Sequence, residues 1–163
     1  MSEPARRDQV SYWLAKSEPV AYSIEDLKKD KTTLWDGVRN YQVRNFFRDR
    51  MRAGDRVLFY HSNTTPPGVV GEMEVVQTGL VDPTQFDKKD AHYDPKSTPD
   101  NPRWLAPKMK YRETFPRVVS LAEIQQLPAL QKSPLVRKGN RLSVVPLTDA
   151  EYTAIIAKAK DVS

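Results

Sequence analysis

Arg56-Val57-Leu58-Phe59-Tyr60-His61, then Ser62-Asn63-Thr64-Thr65-Pro66-Pro67-Gly68, then Val69-Val70-Gly71-Glu72-Met73-Glu74-Val75-Val76 is the stretch on which the fold turns. The first six residues read as a short apolar strand around Val57, Leu58 and Phe59, opened by the turn Ala53-Gly54-Asp55. Pro66-Pro67-Gly68 reads as a second turn, and Val69 to Val76 as a strand returning alongside the first, so the pair is expected to form a hairpin. Gly71 inside that strand predicts a bulge or a close backbone approach.

Working outward, Val10-Ser11-Tyr12-Trp13-Leu14-Ala15 reads as an earlier strand, with Tyr12 and Leu14 facing one side and Trp13 and Ala15 the other. Lys110 to Val119 and Leu142 to Val145 read as later strands. Cap signals place helices over 23–29, with Ser23 capping and Asp26 three residues on; over 40–51, with the apolar stripe Val43, Phe46, Phe47, Met51; over 120–127, opened by Ser120 and Glu123; and over 148–160, opened by Thr148 and Glu151. Asp82 to Pro107 is an irregular, proline-rich stretch of the kind that is functional when it lies inside a compact domain, and Tyr93 and Trp104 suggest that it packs. Strands joined sometimes by tight turns and sometimes by helices predict neither alternating βαβ units nor a plain meander. They predict an α+β fold, a mixed β-barrel with helices packed on the outside.

The 163 residues suit one domain, taken as residues 10–160 behind a polar, flexible tail over 1–9. The absence of cysteine excludes disulfides, thiolate nucleophiles and Cys-ligated metals, and two histidines, His61 and His92, make a multi-histidine metal site a poor expectation. No cofactor or metal is expected. No apolar run approaches a membrane span and no signal-peptide core precedes Val10, which predicts a cytoplasmic monomer, or a nuclear one in a eukaryotic source. The net charge of +5 is compatible with a polyanionic partner.

Candidate chemistry gathers where strands end: Lys16-Ser17-Glu18-Pro19, Trp35-Asp36-Gly37-Val38-Arg39-Asn40-Tyr41, Tyr60-His61-Ser62-Asn63 and Arg141-Leu142-Ser143, with Trp104 joining from the long loop. Singly each is unremarkable, since a tryptophan at a strand end is more often core than cage and Asn40 could be only a helix cap. Together they supply what a single nucleic-acid base needs: aromatic faces for stacking, hydroxyl and amide groups for the edge, and cations for flanking phosphates.

These segments, with Val70-Gly71-Glu72, resemble the motifs of EVE-domain proteins in order from about Tyr12 to the final helix. The resemblance implies a PUA-like fold, related to ASCH domains and to YTH domains that hold N6-methyladenine in an aromatic cage. It implies a non-catalytic module that binds DNA or RNA through one modified base of the 5-methylcytosine type or another methylated base. The base pocket implied is Lys16, Ser17, Trp35, Val38, Arg39, Asn40, Tyr41, His61, Ser62 and Trp104, with Arg141 and Ser143 at the phosphate rim. Arg39 and Arg141 are the expected phosphate contacts.

Two other readings compete. An RNA-processing or base-modifying enzyme could be built from Ser17, Asp36, His61 and Ser62, with Glu18 as a base, though no nucleophile-elbow, phosphate-loop or metal-ligand motif accompanies them. A protein-interaction module could use the row Arg44, Arg48, Arg52, a pattern more often a solvated face, here offset by Asp49 and Asp55, with a nucleic-acid groove as the sharper reading.

Overall fold

The computed structural model describes residues 9–161; the rest of the expected N-terminal tail lies outside the described residues. The strands are β1 (Tyr12–Ser17), β2 (Thr32–Leu34), β3 (Arg56–His61), β4 (Gly68–Gln77), β5 (Lys108–Ser120) and β6 (Val144–Leu147). The helices are α1 (Ile24–Asp30), α2 (Tyr41–Asp49), α3 (Leu121–Gln126) and α4 (Asp149–Lys160). The strands form one curled, half-barrel sheet in the order β2-β5-β4-β3-β1-β6. β3 and β4 form the expected antiparallel hairpin, and β1 pairs with β3 in parallel, Ser17 opposite His61.

The alternation in β1 divides the core as the sequence predicts. Trp13 and Ala15 join the cluster that packs Ile24, Leu27, Val43, Phe46 and Phe47 from α1 and α2. Leu14 faces the other side, with Leu58, Val145, Ile124 from α3 and Ile155 from α4. A fully buried side chain such as Phe47 or Leu14 contributes about 1.5–3 kcal/mol. The helices start where their caps are: Ser23, Ser120 and Thr148 each form a reciprocal capping box, and the Asn40 side chain accepts from the Val43 N–H.

Gly71 meets both expectations. The β3–β4 and β4–β5 registers slip beside it, and a Cβ there would stand 2.5 Å from the Glu113 carbonyl oxygen and 2.9 Å from Ile24 Cδ1. Several boundaries differ from the sequence reading: β1 lies two residues later than expected and β5 begins two residues earlier. β2 was not foreseen, since three residues carry no alternation. β6 lies two residues later than expected and includes Pro146 opposite Trp13. Proline normally ends a strand, but β6 is the sheet edge, where a missing N–H costs no ladder bond.

Candidate nucleic-acid interface

Because β1 and β3 run parallel, both deliver their C-terminal residues to the same rim of the sheet. There the Ser62 N–H donates to the Ser17 carbonyl at 3.0 Å and the Lys16 N–H to the Ser143 carbonyl at 2.8 Å. Three segments distant in sequence are thereby stitched together, and two of them, at 16–17 and 143, border a cavity of about 530 Å³. Its volume lies in the range of small-molecule sites. Lys16, Ser17 and Ser143 line one part of it; Tyr22, Thr33 and Leu34 the floor of the α1–β2 corner; Trp35 to Arg39 and His92 the rest.

The 35–39 wall is held by a carboxylate far away in sequence. Asp82 is fully buried. Its side chain accepts from the Gly37 N–H at 2.8 Å, Arg39 Nη1 at 3.0 Å, the Thr84 N–H at 2.8 Å and the Thr84 hydroxyl at 2.6 Å. Burial alone would push this carboxyl up, but the bonds from Thr84, Gly37 and Arg39 outweigh it and hold it below the usual carboxylate value. Gly37 has φ +82°, and a Cβ there would approach the His92 ring to 3.0 Å, so both the turn and the close seat of His92 require glycine. His92 is tied in turn to Asp90 through Nδ1 at 2.9 Å.

Six of the sequence-predicted residues line this cavity: Lys16, Ser17, Trp35, Val38, Arg39 and Ser143. Trp35 is nearly buried and meets Phe59 edge-on, with ring centroids 5.5 Å apart. The Lys16 ammonium stands 5.7 Å from the Tyr60 ring centroid, and burial lowers its pKa. Asn40 spends its side-chain oxygen on the α2 cap. Tyr41 stacks on Trp104 at 4.6 Å, and Trp104 donates its indole N–H to Asp94 at 2.7 Å. Asn40, Tyr41, His61, Ser62, Trp104 and Arg141 do not line the cavity.

Arg39 corrects an expectation. Nε donates to the His92 carbonyl, Nη1 to the Val38 carbonyl and Asp82, and Nη2 to Thr84 and again the His92 carbonyl. All five guanidinium N–H groups therefore have acceptors, leaving none for a phosphate. Arg39 is a strut between the 35–39 turn and the long loop. The arginine row is likewise engaged in part: Arg44 bonds Asn45 and the Arg103 carbonyl, and Arg48 pairs with Asp49. Asp55, expected to offset that row, instead accepts from the Ser11 N–H, the Trp13 indole and the Arg52 N–H.

Sequence reasoning missed Ala21, Tyr22, Thr33, Leu34, Asp36, Gly37 and His92 as cavity residues. Asp36-Gly37 did carry a turn signal. His92 sits in a segment without periodicity, and nothing local points to it.

The hydrolase constellation does not assemble. His61 Nε2 accepts the Ile24 N–H at 3.1 Å, and the Ser17 hydroxyl donates to the Tyr22 carbonyl at 2.7 Å. The nitrogen that would act as base thus satisfies an otherwise orphan donor at the start of α1. Burial lowers the His61 pKa, a nearby Glu25 opposing it in part. With a folded pKa below the unfolded value of about 6.5, the stability it contributes is present above that value and is lost as pH falls through the folded pKa. Denaturant midpoints are therefore expected to decline as pH falls below about 6.5, with a shallower decline in His61→Gln; parallel pH profiles would show that the bond to Ile24 does not carry it.

A second cavity of about 440 Å³ lies at the opposite end of β1, lined by Arg50, Arg52, Trp13 and Asp149 among others. Trp13 is buried there with the Arg50 guanidinium over its ring, Tyr12 is stacked on Tyr152, and Asp149 opposes an anion.

The model of the EVE domain matches residues 11–158. The chain belongs to the EVE-domain family. Human thymocyte nuclear protein 1 is 41% identical to this EVE protein, over 90% of this chain and 73% of its own length. A crystal structure of a Pseudomonas syringae protein superposes with a TM-score of 0.88 at 42% identity, covering 91% of this chain and 99% of the other. Human thymocyte nuclear protein 1 in complex with 5-methylcytosine-containing DNA superposes with a TM-score of 0.83 at 40% identity, covering 94% and 99% of the two chains.

Proposed function

We propose that this EVE-domain protein is a nucleic-acid-binding module that holds one base, a methylated one such as 5-methylcytosine, in the cavity between the β1–β3 rim and the 35–39 turn, and performs no chemistry on it. The observation that carries the reading is the cavity: Trp35 in its wall, Lys16 and Ser143 beside it, and backbone on several sides fixed by hydrogen bonds. The relative solved on 5-methylcytosine-containing DNA supports a nucleic acid as the partner. Binding without catalysis fits the structural use of His61 outside the cavity and of the Ser17 hydroxyl within it. Trp35 supplies the stacking contribution, about 1–3 kcal/mol per base. A methyl group buried against it adds about 0.8 kcal/mol. Stacking falls to Trp35 rather than Trp104 in this reading, because Trp104 is covered by Tyr41 and sits behind Arg39, whose guanidinium is 5.3 Å from its ring.

Arg39 being spent, Arg141 is the remaining rim cation of the two first expected. It is exposed, two residues from Ser143. Titrating a methylated single strand at several salt concentrations tests the contact. Arg141→Ala is expected to weaken binding and flatten the log K against log salt slope by about 0.7–0.9. Arg39→Ala is expected to lower stability. An unchanged slope in folded Arg141→Ala removes Arg141 from the interface.

A further inference from the structure

Stacking and methyl burial leave one problem unsolved. Thymine carries a methyl at the same ring position as 5-methylcytosine, and the two differ at their edge: cytosine presents an N4 amino donor where thymine presents the O4 acceptor. In DNA, a pocket that rewarded only flat faces and a methyl would fill with thymine. The cavity must therefore contain a group that accepts from an amino donor and rejects a carbonyl.

The hydrogen bonds narrow the choice. The Ser17 hydroxyl donates to Tyr22 and remains only a neutral acceptor, Asp82 accepts four bonds from Gly37, Arg39 and Thr84, and Arg39 has no N–H left. Arg39 and the Lys16 ammonium are in any case donors only, with nothing to accept from an amino group. Among the described residues, one side chain lining the cavity is an acceptor-only group with no hydrogen bond from another residue and no ion pair: Asp36. Its N–H is tied back to the Leu34 carbonyl at 3.0 Å, and the next residue is clamped by Asp82, so the backbone that carries the carboxylate is fixed on both sides. A lone anion in a site meant for a polyanionic ligand is unfavourable unless the ligand offers it a donor.

We infer that the Asp36 carboxylate reads the exocyclic amino group of the bound base and thereby excludes thymine and uracil. The assignment rests on the base-binding reading above. Carboxylate acceptance from cytosine N4 is an established edge pairing, and facing thymine the same carboxylate would meet O4, acceptor against acceptor. Lys16, a donor on the same cavity wall, suits the ring carbonyl that cytosine and thymine share. Asp36 is exposed at the cavity, open to a ligand; partial desolvation, with the Asp82 charge added, raises its pKa, and His92 and the Asp36 backbone N–H oppose the rise.

The test uses four single strands identical except for one base: cytosine, 5-methylcytosine, uracil or thymine. The 5-methylcytosine/cytosine and thymine/uracil ratios report the methyl; the 5-methylcytosine/thymine and cytosine/uracil ratios report the edge. Wild-type protein is expected to favour 5-methylcytosine over thymine by roughly ten- to hundredfold. Asp36→Asn, close to isosteric and able to turn its amide toward O4, is expected to bring that ratio to within about threefold while leaving the methyl ratios unchanged, and Asp36→Ala to do the same. Thermal melts of both variants accompany the titrations. Methyl ratios of one in the wild type would sink the modified-base reading. An edge ratio near one in the wild type, or one that survives both substitutions in folded protein, would overturn the assignment of Asp36.

Discussion

Asp82→Ala is expected to unfold the protein at markedly lower temperature and to remove base selectivity in the same step. The carboxylate is wholly buried, and deleting it strands the Gly37 N–H, one Arg39 N–H and the Thr84 backbone and hydroxyl donors at once. Removing one partner of a buried ion pair costs roughly 3–5 kcal/mol, because the other charge is left uncompensated. Arg39 is itself only partly covered, its side chain 22% exposed, which places the cost toward the lower end. In a domain of this size each kcal/mol is worth about 2–4 °C, so a fall of roughly 6–20 °C is expected. Selectivity goes with stability because Asp82 joins the 35–39 turn to the long loop, and the cavity wall is made of both. A melting temperature within about 2 °C of the wild type, measured by calorimetry, would mean that the turn is held by something other than this carboxylate.

Trp104→Ala is expected to be comparably damaging, for a different reason. The ring is 5% exposed, stacked against Tyr41, and bonded through its N–H to Asp94. Its backbone is pinned as well: the Gln85 side chain accepts from the Arg103 and Trp104 N–H groups and donates to the Trp104 and Asp82 carbonyls. A buried tryptophan truncated to alanine loses about 3–5 kcal/mol. Trp104→Phe keeps a ring against Tyr41 while giving up the bond to Asp94. It is expected to fold, to melt somewhat earlier, and to retain the wild-type preference among bases. Loss of that preference at an unchanged melting temperature would put the Trp104 ring against the ligand.

What the sequence made legible was local. The capping boxes at Ser23, Ser120 and Thr148 and the Asn40 cap lie within three residues of what they bond, and each helix begins where its cap predicts. Alternation in β1 and the turn residues between β3 and β4 were equally readable, because a strand's period and a turn's chemistry are written in consecutive residues. The long loop was not readable. Its order comes from Asp82 bonding Gly37 and from Gln85 bonding Trp104, 45 and 19 residues away, and no periodicity encodes such partners. The same cause hid how Arg39 and Trp104 are used. Both residue types suit a nucleic-acid site, but the Arg39 N–H groups go to Val38, Asp82, Thr84 and His92, and the Trp104 ring lies against Tyr41 with its N–H on Asp94. Asp36 was weighed in the sequence as part of a hydrolase. Its place in the cavity wall that Lys16 also lines, with His61 spent on the Ile24 N–H, favours reading a base edge instead.

The measurement that bears most directly on the account is the affinity of wild-type protein and Trp35→Ala for a pair of single strands that differ by one methyl on one cytosine. In single strands no flipping energy enters the comparison. The wild type is expected to favour the methylated strand by roughly tenfold, methyl burial and improved stacking together. Trp35→Ala, confirmed folded by circular dichroism, is expected to bind both strands alike while keeping its salt-dependent background. Equal affinity of the wild type for the two strands would contradict a base held against Trp35 and leave this face a generic basic surface.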